Sequence, residues 1–289
     1  GDSGSLSIGS GLATQGTGGS ISITVGDGNS GVGGSIRIVA GLASPSDKSG
    51  GDVSIVGGQG GDNGGRVVLM GGQGESRSGG DIVAISGTGN AQSSGEVHIS
   101  SASTTAGASG ALMFSSGAAA AADSGSVTVR SGPASAGSAG QVSIFVGATA
   151  TGNSNGVHIL GGQSTGLVGD KGNGGDVSVT GGDGTQNGGA VIIAGGTGSE
   201  VGGSISASTG AGTSFSSGDM TLTTAPAAAG VTGSMIFSSG IASSGSSGDM
   251  SIGTGQATNG QAGMISIMVG ETTLASTAGA MLTMQAGDS

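Results

Sequence analysis

The chain has 289 residues, 71 of them Gly, with no Trp, Tyr or Cys and only four Phe, so an ordinary globular core, a disulfide and a thiolate metal site are all excluded. Leu, Ile, Val and Phe together make 54 residues, under a fifth of the chain, a level that points toward disorder unless a pattern overrides it. The formal charge of −11 is spread thinly and only six Lys or Arg occur, which argues against nucleic acid and anionic lipid as partners; no apolar run approaches the roughly 18 residues that span a bilayer.

The overriding pattern is a tandem repeat. Its unit is Gly, any residue, apolar, any, apolar, two more residues, then Gly. The first apolar residue, termed the lead, is Leu6, Ile21, Ile36, Val53, Val67, Ile82, Val97, Leu112, Val127, Val142, Val157, Val177, Val191, Ile205, Met220, Met235, Met250, Ile265 and Leu282, nineteen repeats mostly 15 residues apart. Gly stands two residues before the lead in seventeen of the nineteen, and five residues after it in seventeen of the nineteen. Alternation of apolar and polar residues bounded by Gly predicts a short strand with one buried face. Fifteen residues cannot also hold the helical crossover that usually joins parallel strands, so each repeat is expected to coil and to lie beside the next.

The expected fold is therefore all-β: a single flattened parallel β-solenoid of nineteen coils, about 15 residues per coil, without helices and continuous over residues 1–289. Seven residues after the lead a column of small residues recurs, including Ala13, Gly28, Ala43, Gly60, Gly74 and Gly89. It is expected to be the inward side of a return strand, lying close against the aliphatic leads. No coil would stand alone, and stability would come from neighbours above and below. Gly1 starts and Ser289 stops in mid-repeat, which suggests a segment of a longer chain or head-to-tail stacking of chains.

A larger period lies over the small one. GGDVSIVGGQGGDNGGRVVLMGG at residues 50–72 aligns without a gap to GGDVSVTGGDGTQNGGAVIIAGG at residues 174–196, sharing 14 of 23 residues. Enlarged loops holding Asp47 and Lys48, and Asp170 and Lys171, precede the twin stretches, so a block of about 122 residues, eight coils, is duplicated. Eight coils would rise roughly 38 Å at a strand spacing of about 4.8 Å, a repeat distance at which lateral neighbours could bind. On strict alternation Met70, Phe145, Leu160 and Met268 point outward and are the candidate lateral-contact residues.

Reactive chemistry finds little support. GNSNG at residues 152–156 matches the nucleophile-elbow pattern around Ser154, but that motif needs a strand, a sharp turn and a helix, and here a strand is expected to follow instead, with no partner His nearby. His98 and His158 occupy equivalent outward positions four coils apart and are not expected to share a metal. No Gly-Lys-Ser/Thr phosphate loop occurs. No catalytic residue, metal or cofactor is therefore expected.

GGDGTQNGG and GGQGGDNGG resemble the calcium-binding nonapeptide repeats of secreted bacterial toxins, but most turns here carry no Asp. Asp52, Asp81, Asp176, Asp219 and Asp249 share one column just before the expected strand without falling on adjacent coils, which suits solubility and protection against sideways aggregation better than calcium. In period the chain is similar to small ice-binding solenoids, although an outward Thr pair occurs cleanly only at Thr221 and Thr223. SGDMSIGTGQATNG and GGSISITVGDGNSGVGGSI resemble the Gly/Ser-rich tandem repeats of secreted or cell-surface proteins of microalgae, over essentially the whole chain. That resemblance implies an extracellular or cell-surface location and a fibrous or adhesive role. The expected function is a non-enzymatic fibre or filament with copies of itself as partners; the alternatives are a binding module for ice, mineral or polysaccharide, and the stalk of a large adhesin.

Overall fold

The computed structural model describes residues 2–44, 47–165, 172–271, 273 and 280–287. Among them there is neither helix nor strand. The expectation of an all-β, flattened parallel β-solenoid is overturned, and with it the expected pairing of Val53 and Val67 on stacked parallel strands. The reason lies in the backbone hydrogen bonds. A strand needs its N–H and C=O groups paired with a neighbouring strand, yet every backbone bond among the described residues joins two positions flanking a single loop.

The chain divides into two units, Gly1–Ser143 and Ile144–Ser289. Within each, a repeat is an extended segment of five residues starting at the lead, followed by a loop, and in eight repeats among the described residues the loop is pinched at its neck. The pinch is one hydrogen bond: the Gly two residues before the next lead donates its N–H to the carbonyl of the residue five after the previous lead. In the first unit the donor–acceptor pairs are Gly51 to Gly41, Gly65 to Gly58, Gly80 to Gly72 and Gly95 to Gly87; in the second they are Gly175 to Gly162, Gly189 to Gly182, Gly203 to Gly196 and Gly218 to Gly210. These are the two Gly columns that the repeat displays. They face each other across a neck rather than bounding a strand.

The residue just before the acceptor, four after the lead, forms the shoulder of the neck, and every Gly shoulder goes with a closed one. Where the shoulder is Gly (Gly57, Gly71, Gly161, Gly181 and Gly195), the neck bond is 2.8 Å in every case. Where it is Ala40 or Ser86 the bond lengthens to 3.0 Å, and beside Thr209 to 3.1 Å. At the valine shoulders Val25 and Val146, and equally at Ser10, Ser101, Ser116, Ser131, Ser239, Thr224 and Thr254, no neck bond forms among the described residues. A Cβ at Gly57, Gly71, Gly161, Gly181 or Gly195 would run into the carbonyl group of the donor residue across the neck. The twin stretches at residues 50–72 and 174–196 are thus where the necks close most tightly.

Most described loops turn at the same place, with bends recurring over the eighth to tenth residues after the lead, as at residues 14–16, 61–63, 135–137 and 243–245; the longer loop after Ile36 bends at 47–48. Gly137, Gly152, Gly230 and Gly245 close four of these bends at φ of 98°, 90°, 97° and 103°, a region that only Gly enters at little cost. The column seven after the lead is also reassigned. Gly60 and Gly184 lie against the backbone of Asn63 and Asn187 on the returning limb of their own loops, not against aliphatic leads. Where that position is Thr the hydroxyl braces the bend: Thr104 Oγ1 accepts from Gly107 N–H at 3.2 Å, and Thr149 Oγ1 donates to the Thr151 carbonyl at 2.8 Å.

No residue among those described is buried. The most sheltered lie at or next to the necks and bends: Ala40, Ala43, Gly57, Ser86, Ser131 and Gly181 are half-buried.

Candidate functional site

With no core, the extended segments themselves are the candidate interaction surface. A faint alternation survives along them. Leads such as Val67 and Val142 are about half covered, at 49% and 48% exposure, whereas residues three after the lead stand nearly free. Met70, Phe145, Leu160 and Met268 all belong to this outer column and are 82–86% exposed. Met70 lies in the first unit and the other three in the second, each on a different repeat. Even the least exposed Leu, Ile, Val, Met or Phe among the described residues, Val269, retains 41% exposure.

In the second unit two consecutive extended segments flank an open cleft of about 510 Å³, lined by Ile236, Phe237 and Ser238 on one side and Met250, Ser251 and Ile252 on the other. Four of the six are large and apolar. The two sides belong to neighbouring repeats and are offset by one position, residues one to three after the lead Met235 facing the lead Met250 and the two residues after it, with no backbone hydrogen bond between them. Sequence reasoning missed this cleft because it placed a hydrogen-bonded ladder where the space lies.

Charge adds little to the surface. Lys48 Nζ stands 3.4 Å from Asp47 Oδ2 with both side chains largely in water, where solvent screening leaves such a pair near neutral in stability. Its counterpart loop at Asp170 and Lys171 lies outside the described residues. No group of His, Asp or Glu able to hold a metal ion occurs among the described residues, and the Asp52, Asp81, Asp176, Asp219 and Asp249 column forms no such cluster there. His98 and His158 are exposed; His98 Nε2 shares a hydrogen bond of 3.1 Å with Ser100 Oγ. Among the described residues no helix is long and apolar enough to cross a membrane. Comparison of the chain with protein-family models, curated proteins and solved structures finds no match in any of the three.

Proposed function

We propose that the chain is a non-enzymatic structural protein of the extracellular space or cell surface, and that it works by associating with further copies of itself into fibrous material. The observation that carries this reading is the exposure of the apolar side chains on repeat after repeat. Fully burying an aliphatic or Phe side chain stabilises by roughly 1.5 to 3 kcal/mol, and at least two fifths of each such surface stays in water among the described residues. Apolar side chains left in water on repeat after repeat are what contact surfaces in proteins offer, and exposed apolar patches generally mark such surfaces. A second copy offers the same spacing of apolar residues and the same unpaired backbone groups, so one geometry of contact can be repeated many times. The resemblance to microalgal surface repeats supports the location.

Sedimentation velocity and electron microscopy across a concentration series test the reading. Assembly that rises with concentration, with elongated particles on the grid, is the expected result. A chain that stays monomeric at all concentrations, or assembles only when ice, mineral or polysaccharide is added, refutes it.

A further inference from the structure

Five Asn residues are followed directly by Gly: Asn63, Asn155, Asn173, Asn187 and Asn259. Such a pair is open to attack by the Gly backbone nitrogen on the Asn side-chain carbonyl, because Gly places no Cβ in the way and lets the backbone reach the required conformation. The five differ in their surroundings. At Asn63 the carboxamide is held back by a hydrogen bond of 2.9 Å from Nδ2 to Asp62 Oδ2. Asn63, Asn173 and Asn187 also lie two residues before a neck donor, Gly65, Gly175 or Gly189, whose 2.8 Å bond ties the backbone next to them.

Asn155 is placed differently on three counts. It stands in the neck-donor column itself, where seventeen of nineteen repeats have Gly, and makes no neck bond among the described residues. Ser154 Oγ stands 3.5 Å from the Asn155 carbonyl oxygen, beyond the usual O–H···O range, so it ties the Asn155–Gly156 peptide down little. The His158 imidazole is the nearest group to Gly156: an atom at the missing Cβ of Gly156 would be 4.0 Å from Nε2, close enough for a side-chain rotation or one bridging water to bring that nitrogen to the Gly156 N–H. A neutral imidazole has one ring nitrogen free to accept a proton.

We infer that Asn155–Gly156 is a self-modifying site, at which His158 promotes closure of a succinimide and so conversion of Asn155 to aspartyl and isoaspartyl forms. In the tautomer with Nε2 unprotonated, His158 takes the Gly156 amide proton as the nitrogen bonds to Asn155 Cγ. The Cγ–Nδ2 bond then breaks, and the imidazolium returns the proton to the departing ammonia. Water opens the ring at either carbonyl, so the net change is amide plus water to carboxylic acid plus ammonia, with no oxidant or reductant. The isoaspartyl product carries one extra methylene in the main chain and, like the aspartyl product, adds a negative charge to a chain already at −11. The features sequence reading left idle, GNSNG and His158, thereby share one role. It does not depend on self-association.

The test incubates the full chain at neutral pH and follows all five Asn-Gly pairs by peptide mapping with mass spectrometry. Asn259 is the internal standard, since nothing lies within 4 Å of a Cβ at Gly260. A well-placed general base accelerates by about a hundredfold or more in an enclosed site; on this open surface Asn155 is expected to convert at least about threefold faster than Asn259. His158→Gln, which keeps the polarity but not the base, should bring Asn155 down to the Asn259 rate while leaving Asn259 unchanged. Equal rates at Asn155 and Asn259 in the parent chain, or an Asn155 rate indifferent to His158→Gln, would overturn the assignment.

Discussion

Replacing Gly57 with Val puts a branched side chain on the shoulder of the neck closed by Gly65 N–H and the Gly58 carbonyl. An atom at the Gly57 Cβ position would lie 2.8 Å from the Gly65 carbonyl carbon and nearer still to its oxygen. Ordinary contact begins at about 3.4 Å, so the limbs must part by roughly half an ångström or more. The neck bond, now 2.8 Å, would then be stretched beyond the usual range for N–H···O. Without mutation, all five Gly shoulders carry a 2.8 Å neck bond, whereas most Ser, Thr and Val shoulders among the described residues carry none. An intramolecular hydrogen bond contributes a net of about 1 kcal/mol, so the closed population of this loop should fall about fivefold. The assay is the Gly65 amide proton by NMR, through its temperature coefficient and its rate of exchange with water. Gly61→Ala is the control, because nothing lies within 4 Å of a Cβ there. The converse variant is Ser131→Gly, which should allow Gly140 N–H to close on the Gly132 carbonyl. If Gly65 exchanges identically in parent and Gly57→Val chains while Gly140 is unaffected by Ser131→Gly, shoulder bulk does not govern the neck.

Three further outcomes follow from the same geometry. Far-ultraviolet circular dichroism of the dilute chain should show neither a helical nor a strand signature, and a pronounced strand band at a concentration where sedimentation reports monomer would contradict the fold. Combining Met70→Ser, Phe145→Ser, Leu160→Ser and Met268→Ser should raise the concentration needed for assembly by tenfold or more, taking burial of each side chain at about 1.5 kcal/mol or above; unchanged assembly would remove that outer column from the contact. Lys48→Met should leave both neck formation and assembly within error of the parent chain, because the Asp47–Lys48 pair is solvent-screened, and a clear effect would show that its charge matters.

The repeat itself was fully legible. Leads, flanking glycines and the duplication of residues 50–72 at 174–196 can all be read from the letters. The fold was not, and Val53 and Ile55 show why. Alternation of this kind reports that one side of an extended segment is apolar; it is silent on whether the N–H groups between them find partners, which separates a strand from a merely extended chain. The glycines at 57, 58, 64 and 65 misled for a related reason. Two Gly pairs around a short loop suit a solenoid turn and a pinched neck equally well, and the choice depends on a backbone hydrogen bond within the loop that composition does not encode. The grading of necks was nevertheless present as a signal, because the shoulder alternates among Gly, Ala, Ser, Thr and Val in a column that can be aligned by eye. Of the interaction surface, the outer column of Met70, Phe145, Leu160 and Met268 could be named from alternation, whereas the cleft between residues 236–238 and 250–252 could not.

A loop shut by one hydrogen bond is also a store of slack. Between Gly58 and Gly65 seven peptide steps are gathered into a gap bridged at 2.8 Å, and drawn straight they would reach roughly 23 to 25 Å. Under tension the widest necks would let go first and the glycine-shouldered ones last, each release lengthening the chain while its covalent backbone stays unstrained. Because every fastening is local to its own loop, each can re-form when the load is removed without waiting for distant parts of the molecule to find one another.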